Sequence, residues 1–103
     1  MGSKNVMDLY EQEFNKILEL RRQRSKIYGD FWANDPIEAK VWLCWEKAQR
    51  AAFITKNNKD LRNSYETLED TLRDMINYAM FGLVIVSKMK KENKDGVFVE
   101  ERE

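Results

Sequence analysis

The stretch Ser64-Tyr-Glu-Thr-Leu-Glu-Asp-Thr-Leu-Arg-Asp-Met-Ile-Asn-Tyr-Ala-Met-Phe-Gly-Leu-Val-Ile-Val86 decides the fold. At 100° per residue, Leu61, Tyr65, Leu68, Leu72, Met75, Ile76, Ala79, Leu83 and Val86 fall on one stripe, which reads as the core face of a helix. A second stripe carries Asp70, Asp74 and Asn77 into Tyr78, Phe81 and Ile85. Below the carboxylates the helix is apolar all round, so both sides need cover. Acidic side chains entering a doubly buried helix need a metal ion, a cation or a proton to neutralise them.

Working outward, Asp60 or Ser64 can cap this third helix, which is expected over about 62–91. Upstream, Asp35-Pro36 opens a second helix over about 36–55, with aspartate as cap and proline at the first helical position. Its expected buried face is Ile37, Val41, Cys44, Trp45, Ala48 and Ala52. Glu38, Trp42, Glu46, Gln49 and Phe53 form an adjacent face, and Leu43, Lys47, Arg50 and Ile54 a third. A first helix over about 4–28, capped by Ser3 or Asn5, ends at Gly29 in a C′ position that favours positive φ. Val6, Leu9, Tyr10, Phe14, Ile17 and Leu20 form its apolar face, and Arg24 and Tyr28 extend that stripe.

Three long helices with short connections predict an all-α antiparallel bundle in one domain over 1–92. Residues 93–103 form a charged, flexible tail in which Val97, Phe98 and Val99 are strand-like. Three helices alone leave Tyr78, Phe81 and Ile85 uncovered, so this strip predicts a subunit interface in a homodimer or higher homo-oligomer.

Composition narrows the chemistry. Eighteen basic and eighteen acidic residues cancel, so no global field favours DNA, and no direct DNA binding is expected. There is no histidine, which removes imidazole catalysis and ordinary zinc sites. The single cysteine, Cys44, suits a reducing cytoplasm. The apolar run from Met75 to Val86 is too short to span a bilayer, which needs about 20 residues. The four glycines are scattered, without a phosphate-binding loop.

What remains is a constellation: Arg24, Tyr28-Gly29-Asp30 and Trp32; then Glu46-Lys47-Ala-Gln-Arg50; then Glu66-Thr-Leu-Glu69-Asp70-Thr-Leu-Arg-Asp74-Met-Ile-Asn77-Tyr78. In order and spacing, over about 17–86, it resembles the phage and bacterial family called nucleotide modification associated domain 1. That family is similar to the all-α nucleoside triphosphate pyrophosphohydrolases of the MazG and dimeric dUTPase type. The resemblance implies a cytoplasmic protein of an infected or lysogenic bacterial host that binds or hydrolyses a nucleotide or a nucleotide-derived small molecule.

Hydrolytic members hold magnesium with a Glu-x-x-Glu pair on one helix and a Glu-x-x-Asp pair on the next. Magnesium prefers oxygen ligands and bridges phosphates, so Asp70, Asp74, Glu66 and Glu46 are the implied Mg2+ ligands. Lys47, Arg50 and Arg24 would face phosphates, Trp32 would stack on the base, and Asn77 would read its edge. The second helix departs from this pattern, with Glu38 and Glu46 eight residues apart and no Glu-x-x-Glu pair. Two readings therefore stay open beside the hydrolase. Asp70 and Asp74 can pair with Arg24, Lys47 or Arg50 in an ionic network holding helices in register. The protein can equally be a non-catalytic interaction protein that occupies a host enzyme or sequesters a nucleotide signal.

Overall fold

The computed structural model describes residues 2–92, with side chains from Asn5 onward. It is all-α, as expected, and no strand occurs among the described residues. The helices are α1 (Gly2–Tyr28), α2 (Ile37–Asn57) and α3 (Tyr65–Glu92), with 3-10 turns at Phe31–Asn34 and Leu61–Ser64. The expected tail over 93–103, with its strand-like patch, lies outside the described residues. Among the described residues no helix is long and apolar enough to cross a membrane.

The chain divides between Phe31 and Trp32 into two compact units. The first is α1 with its exit turn. The helix begins at Gly2, so Ser3 and Asn5 lie inside it rather than capping it. Val6, Leu9, Tyr10 and Phe14 are exposed, and Ile17 is buried. Gly29 leaves the helix with φ +78°, the conformation that glycine adopts without a Cβ penalty. Its amide donates to the Ser25 carbonyl at 2.8 Å, and the Ser25 hydroxyl reaches both Asp30 carboxylate oxygens at 2.8 and 2.9 Å.

The second unit is an antiparallel hairpin of α2 and α3. As α2 advances its partners on α3 recede: Lys40 lies over the Phe81 ring, Cys44 Sγ donates to the Met75 carbonyl at 3.6 Å, and Lys47 reaches Asp74 at 3.2 Å. Lys88 bonds Asn34 at 3.1 Å at the end where the chain enters α2. At the connecting end the Asp60 carboxylate caps the Leu61–Ser64 turn through the Arg62 amide and also binds the Arg62 guanidinium. Those bonds hold the Asp60 carboxyl below the usual carboxylate range. The resulting support for the turn is present above the ordinary aspartate pKa and fades as pH falls through the lowered one.

The faces that meet are in part the reverse of those expected, with Ile37, Cys44, Leu68 and Met75 half-buried. On α3 the buried residues are Thr71, Phe81, Gly82 and Ile85, whereas Leu83 is 61% exposed and Tyr65 55%. On α2 the buried residues are Lys40 and Ala51, whereas Val41 is 60% exposed and Trp45 48%. The expected interface strip is thus interior: Phe81 and Ile85 are buried and Tyr78 is half-buried.

The reversal has local causes. The helices lie close at Gly82, where a Cβ would stand in contact with Ile37 Cδ1 at 3.4 Å. Thr71 hides its hydroxyl by donating to the Thr67 carbonyl at 2.8 Å. The Lys40 ammonium is neutralised by Asp35 at 2.8 Å, so that carboxylate serves the lysine and α2 starts after Pro36 without a side-chain cap. Thr71 and Lys40 are thus satisfied on the packed face, whereas the Trp32 indole Nε1 is buried there without a hydrogen-bond partner among the described residues.

Phe81 is the centre of this packing. Trp32 stacks on it at 4.2 Å between centroids, Tyr78 meets its edge at 6.2 Å and the Lys40 ammonium sits 5.3 Å from its centroid. Phe81→Ala removes all three contacts and should lower unfolding free energy by about 3–5 kcal/mol in urea titration. A loss below about 1 kcal/mol would mean that Phe81 is not the centre of the core.

Candidate functional site

Of the implied magnesium ligands, Glu46 and Glu66 are exposed and Asp70 has a side chain 72% exposed. No group of three or more acidic, histidine or cysteine side chains able to hold a metal occurs among the described residues. Asp74 instead faces Lys47 at 3.2 Å, and Asp70 lies 3.8 Å from Arg73 one turn along the same helix. Of the two cationic partners proposed for Asp74 on α2, the structure selects Lys47. Arg24 belongs to the first unit and is exposed there.

Lys47 and Arg50, one turn apart on α2, line a shallow polar depression of about 490 Å³ with Glu46 and Gln49. Lys47 is half-buried and held by Asp74, while Arg50 projects into solvent. Trp32 belongs to a different place, because one ring face is taken by Phe81. Phe81 and Asp74 are seven residues apart on α3, about 10 Å along the axis. Asn77 is half-buried between those two levels. The proposed phosphate and base contacts are therefore separated by two helical turns.

Sequence reasoning did not single out the Lys40–Asp35 pair. The available signal was a lysine inside the α2 pattern, five residues after an aspartate at a helix start. It also missed what the reversal leaves behind. Between α2 and α3 on one side of the hairpin runs an open apolar groove of about 540 Å³. Val41, Trp45 and Ala48 form one wall and Ala79, Leu83 and Val86 the other, with Cys44 and Gly82 also lining it. Its single charged lining residue, Lys40, is buried and already paired. Further along the same stripe of α3, Ile76, Leu72 and Tyr65 are also exposed. Contiguous exposed apolar surface of this kind is uncommon on monomeric proteins.

Compared with known proteins, the chain matches no family model, no curated protein and no solved structure.

The two ion pairs differ in consequence. The Asp74 side chain is 46% exposed, so its attraction to Lys47 is screened by solvent. Asp74→Asn should therefore destabilise by no more than about 1 kcal/mol. The Lys40 side chain is only 9% exposed, and Asp35→Asn strips a buried ammonium of its counter-charge. That change should cost about 1–3 kcal/mol. Urea unfolding of both variants measures the ranking. A more stable Asp74→Asn protein would indicate that repulsion with Asp70 outweighs the Lys47 pair.

Proposed function

We propose that this protein is a helical interaction protein whose working surface is the apolar face of the α2–α3 hairpin. The observation that carries the reading is the groove: Val41, Trp45 and Leu83 project from two adjacent helices, and each is about half exposed or more. Leaving such side chains in water forgoes roughly 1.5–3 kcal/mol for each that a partner would fully bury. Helix-in-groove docking uses this kind of surface, with apolar anchors on the incoming segment spaced by one helical turn. The test is photo-crosslinking with p-benzoylphenylalanine in place of Trp45, in cells that make the protein. Adducts with polypeptide are expected. Labelling without any polypeptide adduct would overturn the reading.

A second reading is favoured by the cation pair on α2. Lys47 and Arg50 share one polar depression, and Asp74 on α3 faces Lys47 at 3.2 Å. Two cations one turn apart suit a polyphosphate, and a divalent ion bridging it to Asp74 would release Lys47 toward the phosphates. This reading keeps the motif resemblance, with magnesium and a nucleotide as ligands, in a cytoplasmic phage or bacterial setting. Calorimetric titration with nucleoside triphosphates and magnesium checks it: binding weakened about tenfold or more by Arg50→Ala is expected. Heats indistinguishable from dilution across the four common bases would remove this reading and leave the first intact.

A further inference from the structure

We infer that the docking partner lays an arginine side chain against Trp42 and Trp45, with its guanidinium forked onto the Glu38 carboxylate. The inference rests on the docking reading above and names the chemistry of the segment that docks.

Beside the apolar groove, α2 carries a second depression of about 440 Å³, lined by Ile37, Glu38, Val41, Trp42 and Trp45. Trp42 and Trp45 lean on each other at 4.6 Å between centroids, with ring planes 41° apart. Each is about half exposed. Tryptophan is well buried on average, so two of them side by side in water on one helix face are unusual. Covered by a partner, this residue type is among those that carry most of an interface's energy.

Glu38 is the one charged residue lining the depression. It stands one turn before Trp42, and helix side chains lean toward the N-terminus, so the Trp42 ring leans toward this carboxylate. The residues three and four positions away, Asn34, Asp35, Val41 and Trp42, include no cation. Lys88, on the other flank of Glu38, is bonded to Asn34. Among the described residues no cation pairs with Glu38. The α2 dipole favours an acid in the first turn without occupying its oxygens.

An open carboxylate at the edge of two indole faces selects a cation, because the carboxylate and the negative ring faces attract the same sign. The geometry points to arginine over lysine. A planar guanidinium stacks on an indole and, in the same pose, reaches the carboxylate through two parallel N–H···O bonds. An ammonium has neither the plane nor the fork. Ile37 and Val41 receive the aliphatic stem. The lining holds no cation for the carboxylate of free arginine, which favours an arginine within a polypeptide. Val41 and Trp45 also wall the groove, so one docked segment covers both surfaces.

The test follows the three indole N–H signals by NMR while acetyl-arginine methylamide is added to millimolar concentration. The Trp42 and Trp45 signals, assigned with Trp42→Phe and Trp45→Phe, should shift and saturate. That of Trp32, stacked on Phe81, should stay in place. The neutral citrulline analogue should give no saturable shift, and the lysine analogue should bind at least about threefold more weakly. Glu38→Gln should weaken the arginine probe about tenfold with helical circular dichroism unchanged. Equal responses to all three probes, or a Glu38→Gln protein that binds as well as wild type, would overturn the inference. Tighter binding of free arginine than of the capped form would overturn it too, by assigning the site to the small molecule. If the arginine probe fails while residue 45 still crosslinks to polypeptide, the arginine assignment falls and the docking reading stands.

Discussion

The structure of the second unit depends on how closely α2 and α3 approach at Gly82. A Cβ at Gly82 would already stand 3.4 Å from Ile37 Cδ1, and Phe81 beside it stacks on Trp32. Lys40 lies over the Phe81 ring, and Asp35, just before the helix, supplies its counter-charge. A cation over an aromatic face with a carboxylate behind it is favourable, but only while all three groups stay in register. Close approach, aromatic stack and buried ion pair thus stand or fall together.

The same approach sets the hairpin's orientation. Once α3 offers its Thr71, Gly82 and Ile85 side to α2, the stripe containing Leu72, Ala79 and Leu83 is turned through roughly a third of a revolution onto the flank. On α2 the corresponding flank carries Val41, Trp45 and Ala48. Because the helices are antiparallel, the two flanks lie on one side of the hairpin and make a continuous apolar face. A packing that buries Phe81 and Ile85 beside Thr71, Gly82 and Lys40 leaves Val41, Trp45 and Leu83 exposed.

That is also why the sequence revealed the elements but not their faces. Helix starts and stops depend on nearby residues, and Gly29, Pro36 and Asp60 act within a turn of where they stand. Periodicity likewise identified three helices, because apolar residues recur at helical spacing whichever side they serve. Assigning the buried side from hydrophobicity alone fails when polar residues are satisfied locally. Thr71 uses its own helix, Cys44 a backbone carbonyl and Lys40 an aspartate at the helix entry. Of the candidate site, the Lys47–Asp74 partnership was legible as one of several charge pairings. The apolar groove was not, since its residues read as interior.

The residue opposite Asp74 decides which chemistry the α2–α3 seam supports. In a carboxylate site the facing helix must present further acids at this level, and the mutual repulsion of the cluster is relieved only by a bound cation. Here the facing position is Lys47, at 3.2 Å, while Glu46 is turned out to solvent one residue earlier. An ammonium at that distance does electrically what a divalent ion would otherwise do, and it is covalently fixed. The seam therefore holds its charge balance as folded, and the uncompensated feature of the hairpin is apolar surface rather than negative charge. A divalent ion entering the seam has first to move Lys47 off Asp74, and a polyphosphate lying along Lys47 and Arg50 supplies the negative charge that would draw the lysine away. Metal and anion would then bind more strongly together than either does alone, whereas docking on the apolar face needs no such exchange.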